Sequence, residues 1–118
     1  MQRIIYITGD MMDYETKADI LHLLSHPVRL QILDELRSRE ACVCHLQAVT
    51  GRPQAYVSQQ LRFLREAGLV RDVKDGQNVF YQISDESVLS ILETILGSPG
   101  KASTPVDCTC PFCTGGRV

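Results

Sequence analysis

Apolar residues in the first third of the chain recur at the three- and four-residue spacing of amphipathic helices. This spacing predicts a helix over residues 14–24 and a second helix over residues 25–38. Ser25 or His26 can cap the second helix, and Pro27 suits its first turn. The predicted apolar faces comprise Ala18, Leu21 and Leu24, with Ile20 beside them, in the first helix and Val28, Ile32, Leu33 and Leu36 in the second.

The next stretch predicts two further helices joined by a tight turn. The third helix runs from about Cys42 to Val49 and is followed by Gly51, a residue that commonly ends helices. The fourth helix runs from about Gln54 to Ala67. Two helices joined by a short turn that contains glycine form a helix-turn-helix motif.

The next part of the sequence predicts two β-strands followed by a last helix. The segments LVRDVK and VFYQI are rich in β-branched and aromatic residues and flank Asp75-Gly76, so they predict a β-hairpin. A last helix begins near Asp85, which with Ser84 can cap it. This helix has more apolar residues than one small core needs, which predicts a dimer interface. They are Val88, Leu89, Ile91, Leu92, Ile95 and Leu96.

The order of these elements predicts a mainly α, winged helix-turn-helix fold that is dimeric. We expect residues 1–13 to form an N-terminal extension and residues 14–96 to form a DNA-binding and dimerisation domain. Residues 97–118 are rich in Gly, Pro, Ser and Thr, which predicts a flexible tail that carries the cysteines of CTCPFC.

Composition and charge narrow the class of protein. A chain of 118 residues with 44% hydrophobic content suits one globular domain. No apolar run approaches the roughly 20 residues of a membrane span, and the N-terminus lacks the features of a signal peptide. We therefore expect a cytoplasmic protein without a membrane partner. The formal charge is −2, but the segment from Arg52 to Arg71 has four arginines and one acid, so we expect any nucleic-acid contact there.

Five cysteines are the main chemical feature of the sequence. They are grouped as Cys42 and Cys44 in EACVCHL and as Cys108, Cys110 and Cys113 in the tail. Without signs of secretion, such a set favours metal binding or redox chemistry. Thiolates suit soft ions and match magnesium or calcium poorly. Side chains two positions apart on a regular helix point about 200° from each other, so shared binding by Cys42 and Cys44 predicts a frayed or distorted helix.

Four stretches together resemble the ArsR/SmtB family of metal-responsive transcriptional repressors, most of all its arsenic(III)-responsive members. They are HPVRLQILDEL, EACVCHL, AYVSQQLRFLREAGLV and DGQNVFYQI, and the resemblance covers roughly residues 18–96. It implies a homodimer that binds double-stranded operator DNA at an inverted repeat when metal-free, and that leaves the DNA when a soft ion binds. The motif EACVCHL has a histidine after the second cysteine, where family members commonly have an aspartate.

The fourth helix is the expected DNA reader. Its polar side chains can face base edges while Val57, Leu61 and Leu64 pack in the core. The expected contacts on this helix are Gln54, Tyr56, Ser58, Gln59 and Arg62, joined by Gln60 from its place in the family pattern. At the wing, Lys74, Gln77 and Asn78 would contact phosphate or the minor groove. A dimer would place two reading helices about one DNA turn apart, roughly 34–36 Å.

The resemblance implies that Cys42 and Cys44 bind the inducing ion. We expect As(III) or Sb(III) first, and Cd(II), Pb(II) or Zn(II) next. Trivalent arsenic prefers three thiolates and zinc or cadmium usually takes four ligands, so the tail can supply the remainder. Cys108, Cys110 and Cys113 would complete the site within one subunit or between two, or would hold an ion alone. His45 is a further candidate ligand beside the thiols.

Two alternatives remain open. On the same scaffold, a disulfide between the tail and Cys42 or Cys44 would make the protein a thiol-redox or persulfide sensor. A protein that sequesters metal without sequence-specific DNA binding belongs to a different class. An enzyme is not expected, because the chain offers no Ser/His/Asp constellation, phosphate loop or paired-carboxylate site.

Overall fold

The computed structural model describes residues 14–99, which form five helices and one two-stranded hairpin. In chain order these are α1 (Tyr14–Leu24), α2 (Pro27–Ser38), α3 (Val43–Thr50), α4 (Gln54–Glu66), β1 (Val70–Asp75), β2 (Asn78–Ile83) and α5 (Glu86–Leu96). This is the predicted winged helix-turn-helix order. None of the helices in residues 14–99 combines the length and the apolar character that a membrane crossing requires.

The first two helices pack on the core through one stripe each. The predicted face of α2 is confirmed, and its Ile32 and Leu33 have no exposed surface. The predicted face of α1 is wrong at two positions, because Ala18 and Leu21 are exposed. The buried residues of α1 are instead Ile20, Leu23 and Leu24. That stripe removes more apolar surface from water, since it includes isoleucine in place of alanine.

The motif formed by α3 and α4 depends on a glycine between them. Gly51 caps the end of α3 with a φ of 71°, in the left-handed region that glycine adopts most easily. Its amide donates to the carbonyl oxygen of Gln47 over 2.8 Å. Leu46 of α3 and Val57 of α4 are both fully buried in one core cluster. The two helices therefore pack against each other directly after the turn.

The wing is an antiparallel hairpin, as predicted. Val70 pairs with Ile83 at one end and Asp75 pairs with Asn78 at the other, which leaves a two-residue loop. The first loop residue, Gly76, has a φ of 66°. A positive φ at this position suits the tight turns that join two twisted strands. The hairpin therefore ends in a short loop beyond Asp75 and Asn78.

The last helix leaves part of its apolar surface uncovered. Val88 and Leu92 are fully buried against the core. Leu89, Ile95 and Leu96 are 38%, 61% and 40% exposed, respectively. The excess of apolar residues predicted for α5 is therefore present as exposed surface within residues 14–99.

The cap of α5 generates a stability prediction. The Asp85 carboxylate accepts a hydrogen bond from the Ser87 amide over 2.9 Å, as the sequence predicted for this residue. We expect Asp85→Ala to lower the free energy of unfolding by about 0.5–2 kcal/mol, the usual cost of losing an N-cap. Asp85→Asn keeps an oxygen acceptor and should stay within a few tenths of wild type. Urea unfolding at one protein concentration measures both, and equal losses would contradict the capping role.

Candidate DNA interface and thiol site

The outer face of α4 is polar and carries positive charge. Gln54, Ser58, Gln59 and Arg62 are exposed, and Tyr56 is partly buried. The Arg62 guanidinium lies 5.8 Å from the ring centroid of Phe63, which supports its position on the helix surface. Five of the six α4 residues expected to contact DNA therefore have side chains that are at least partly accessible to solvent.

An open groove of about 580 Å³ runs along this face of α4. It is lined by Ala55, Tyr56, Ser58, Gln59, Arg62, Arg65 and Tyr81. Arg65 belongs to the arginine-rich segment between Arg52 and Arg71, but neither Arg65 nor Tyr81 is among the DNA contacts expected from the sequence. The Arg65 guanidinium lies 3.5 Å from the carboxylate of Asp72, an ion pair that links α4 to β1. Tyr81 packs against the core cluster and also lines this groove, and no pattern in the sequence of β2 distinguishes it from the other partly buried residues of that strand.

Gln60 does not share the outer face, and the prediction that it faces outward is wrong. Its side chain is only 4% exposed, and its Oε1 accepts a hydrogen bond from Arg29 Nε over 2.7 Å. Helical spacing contained the signal for this burial. Positions 57, 60, 61 and 64 follow the i, i+3, i+4, i+7 pattern of one face, and the other three are buried apolar residues. A glutamine on that stripe points inward.

The predicted wing residues lie at the tip of the hairpin. Lys74 and Gln77 are exposed, and Asn78 is partly buried. None of the three lines the groove along α4. The structure therefore separates two polar surfaces, one on α4 with Tyr81 and one at the hairpin tip.

Close to the start of α4, an aromatic and basic cluster joins this helix to α2. The Tyr56 hydroxyl lies 3.4 Å from Nε2 of His26, and the Arg52 guanidinium lies 5.3 Å from the centre of the Tyr56 ring. Burial lowers the pKa of His26 below 6.5, and the positive charges of Arg29 and Arg52 lower it further. His26 is the N-cap residue of α2, but its side chain makes no capping hydrogen bond.

The two sulfur atoms of EACVCHL already lie side by side. Cys42 Sγ and Cys44 Sγ are 3.3 Å apart, and Cys42 is 7% exposed. The expected fraying or distortion of the helix is not needed. Cys42 is the N-cap residue of α3, with φ −88° and ψ 170°, so the angular separation within a regular helix does not apply. The prediction that α3 begins at Cys42 is corrected to Val43.

The described residues supply two sulfur atoms toward a soft-ion site. Within residues 14–99, no group of three or more His, Cys, Asp or Glu side chains is placed to hold one ion. A metal ion about 2.3 Å from each thiolate can fit between two sulfur atoms at this separation. Cys44 is disulfide-bonded in this structure, so the pair offers two thiolates only after reduction. Cys108, Cys110 and Cys113 lie outside the described residues.

His45 contacts Glu35 in the interior between α2 and α3. It is 2% exposed, and its Nε2 lies 2.6 Å from Glu35 Oε2. This pair holds the two helices together immediately beside Cys44. A ligand role for His45 stays a prediction from the sequence, and in this structure its Nε2 is engaged with Glu35.

Backbone hydrogen bonds tie the thiol segment to the wing. Ala41 donates to the Tyr81 carbonyl over 3.2 Å, and the Tyr81 amide donates to Ala41 over 2.8 Å. Beside this bridge, Gln82 Nε2 donates to Glu40 Oε2 over 2.9 Å. The residue before Cys42 is thus bonded to a strand whose Tyr81 side chain lines the α4 groove.

The fold and the polar α4 surface define a winged helix-turn-helix regulator. Comparison with known proteins gives the family. Residues 26–72 match the family described as bacterial regulatory protein, arsR family. The chain is 35% identical over 78 residues to a transcriptional repressor SmtB homolog of Synechocystis sp., which covers 66% of this chain but 59% of that relative.

Two further relatives are covered over most of their length. An uncharacterised HTH-type transcriptional regulator of Methanocaldococcus jannaschii is 35% identical over 86 residues, which are 72% of this chain and 97% of that protein. The structure of HlyU from Vibrio cholerae superposes with a TM-score of 0.66 at 35% identity, over 72% of this chain and 94% of HlyU. The chain belongs to the arsR family of bacterial regulatory proteins.

The lowered pKa of His26 generates a prediction about pH. Well above pH 6.5 the residue is neutral in both folded and unfolded chains, and its protonation does not change the free energy of unfolding. As the pH falls through 6.5, the unfolded chain takes up the proton first, so the free energy of unfolding decreases until the folded pKa is passed.

We expect this decrease between pH 7.5 and 5.5 to be smaller in His26→Gln than in wild type, as measured by urea unfolding. NMR titration of His26 in the folded protein should give a midpoint below 6.5. A midpoint at or above 6.5 would contradict the burial of this ring near two arginines.

Proposed function

We propose that this protein is a homodimeric transcriptional repressor that binds operator DNA and releases it when a soft thiophilic ion engages Cys42 and Cys44. The observation that carries the proposal is the contact between the two sulfur atoms, 3.3 Å apart at the start of the helix-turn-helix. The similarity to a transcriptional repressor SmtB homolog supports repression as the biological output.

DNA binding is supported by the surface of α4. A groove lined by two arginines, polar side chains and two tyrosines can accept a phosphate backbone and present hydrogen-bonding groups to base edges. In the proposed interface, Ser58, Gln59 and Arg62 face the major groove, with Gln54 and Tyr56 at the start of the helix. Arg65 and Tyr81 join the set, and Lys74, Gln77 and Asn78 approach the adjacent backbone from the wing.

Dimerisation is supported by the uncovered apolar residues. Leu89, Ile95 and Leu96 of α5 and Leu21 of α1 are exposed large hydrophobic side chains. A second copy of the chain would bury them, and a two-fold axis between copies would present two α4 helices to an inverted repeat. The proposed partners are therefore a second subunit and double-stranded operator DNA.

As(III) or Sb(III) is the proposed inducer, with Cd(II), Pb(II) or Zn(II) as the alternative. Cys42 and Cys44 supply two thiolates, and such soft donors favour ions of this kind. A complete site needs at least one more ligand, for which Cys108, Cys110 and Cys113 are the proposed sources. The ion is the signal that the protein responds to, and no catalytic step is involved.

A route from the thiols to the DNA surface follows from two connections. Cys42 is nearly buried, so an ion that gathers further ligands around it must open the start of α3. Leu46 carries that displacement into the core shared with α4, and the Ala41–Tyr81 backbone pair carries it into the wing. Release requires only that the ion bind the low-affinity conformation better, typically by about 1–3 kcal/mol.

A thiol-redox or persulfide sensor is the second candidate function. The specific observation in its favour is that Cys44 is disulfide-bonded. Conversion between the thiol and this disulfide would then act at the start of α3, where an ion would also act, with an oxidant needed to form the bond and a reductant to reverse it. Release by oxidant that persists in the presence of chelator would favour this candidate over the metal-responsive one.

Arg62→Ala tests the DNA surface. We expect the variant to bind a promoter fragment more weakly, by about 1–3 kcal/mol if Arg62 reads a base, or with a salt slope lower by about one if it contacts phosphate. Lys17→Ala is the matched control, because it removes one exposed positive charge from α1. Fluorescence anisotropy at several salt concentrations measures both variants. Equal behaviour of Arg62→Ala and wild type would remove this residue from the interface.

Cys42→Ser tests the sensing site. The reduced variant should bind the promoter fragment as wild type does but remain bound when arsenite is added, because serine cannot replace a soft thiolate. Cys44→Ser should behave in the same way. Cys108→Ser shows whether the tail contributes a ligand. Full release of Cys42→Ser by arsenite, at the wild-type concentration, would exclude Cys42 as an essential ligand.

A further inference from the structure

A polar bridge crosses the interior between α2 and the DNA-reading helix. Arg29 Nε donates to Gln60 Oε1 over 2.7 Å, although the two residues are 31 positions apart in the chain. Gln60 is 4% exposed and sits among Val57, Leu61 and Leu64 on the inner stripe of α4. Within residues 14–99, these four are the buried residues of α4, and the other three are apolar.

The Arg29 guanidinium also contacts Leu23 and Phe63. Its Nη1 donates to the carbonyl oxygen of Leu23, at the end of α1, over 3.3 Å. Its central carbon lies 5.3 Å from the ring centroid of Phe63, one turn along α4 from Gln60. One side chain of α2 therefore contacts α1 and two positions of α4. Arg29 is well placed to fix how these helices sit relative to one another.

The energy of this hydrogen bond depends on its direction, whereas the energy of the surrounding apolar contacts does not. Apolar packing tolerates small rotations and repacking, whereas a hydrogen bond weakens steeply as its angle and length depart from the optimum. Burial lowers the pKa of the Arg29 guanidinium below its usual value, with Tyr56 acting in the opposite direction, yet a guanidinium stays charged. A rotation of α4 that withdrew Gln60 would leave a partly buried charge without its acceptor.

We infer that Gln60 is a positioning residue whose hydrogen bond with Arg29 fixes the rotation of α4, and thereby aims Ser58, Gln59 and Arg62 at the DNA. The inference rests on the proposed DNA-binding function and extends it. Gln59 and Gln60 are adjacent and identical in type, but one lies on the outer surface and the other in the core. The hydrogen bond with Arg29 keeps Gln60 in the core and leaves Gln59 on the surface that faces DNA in the proposed function.

The test uses full-length protein, four test variants and one control variant. Gln60→Met has a similar length but no acceptor, Gln60→Glu keeps an acceptor, Arg29→Met removes the donor, and the double variant removes both. Gln59→Met on the outer face is the matched control for the urea measurement only, because Gln59 is itself a proposed DNA contact. Two quantities are measured: the affinity ratio between a promoter fragment and a scrambled fragment of equal length at one salt concentration, and the free energy of unfolding in urea.

We expect Gln60→Met and Arg29→Met each to reduce the affinity ratio by roughly tenfold or more, the loss that one misread base pair typically produces. Gln60→Glu should stay within about threefold of wild type. In urea, the double variant should be less destabilised than the two single losses added together, because both remove one interaction. Gln59→Met should leave the unfolding midpoint unchanged.

Three results would overturn the inference. They are an unchanged affinity ratio in Gln60→Met, a loss in Gln60→Glu as large as in Gln60→Met, and additive losses of Arg29→Met and Gln60→Met in urea. A wild-type protein that binds promoter and scrambled DNA equally would instead refute the proposed function. In that case the urea comparison of the double variant with the two single variants still tests whether Arg29 and Gln60 are coupled in the folded protein.

Discussion

The close packing of α3 between α2 and α4 is the constraint on which the rest of the structure depends. Leu33, Leu46 and Leu61, one from each helix, are at most 1% exposed in the same core cluster. A densely packed interior transmits displacement, because it contains little free volume to absorb it. The start of α3 therefore cannot move far without moving α4. In the proposed function, an ion that binds the two cysteines at that point therefore changes the position of the outer face of α4.

Polar contacts add direction to this packing at three places. Arg29 reaches Gln60, Glu35 reaches His45, and the backbone of Ala41 pairs with Tyr81. The first and third contacts join elements that are distant in sequence, whereas Glu35 and His45 lie on the consecutive helices α2 and α3, and each contact lies beside either the two cysteines or α4. Together they fix the relative positions of the segment that carries Cys42 and Cys44, the wing and α4.

The order of elements could be predicted from sequence because it depends on local signals. Helical spacing, the Gly51 cap, the Asp75-Gly76 turn and the Asp85 cap each act within a few residues. The errors have different sources. The inward position of Gln60 could have been predicted from its helical spacing with Val57, Leu61 and Leu64, but its hydrogen-bond donor Arg29, 31 positions away, could not. The burial of Ile20 in place of Ala18 depends on how α1 packs against the rest of the core. The position of Cys42 outside the helix depended on a one-residue difference in where α3 begins.

A titration of fully reduced protein on a fluorescent fragment of its own promoter tests the central claim most directly, with arsenite, cadmium and zinc added separately. The account predicts release of the fragment at a near-stoichiometric amount of arsenite, with the same protein remaining folded by circular dichroism. A promoter complex that is unaffected by all three ions would contradict metal-responsive repression and would favour the thiol-redox alternative.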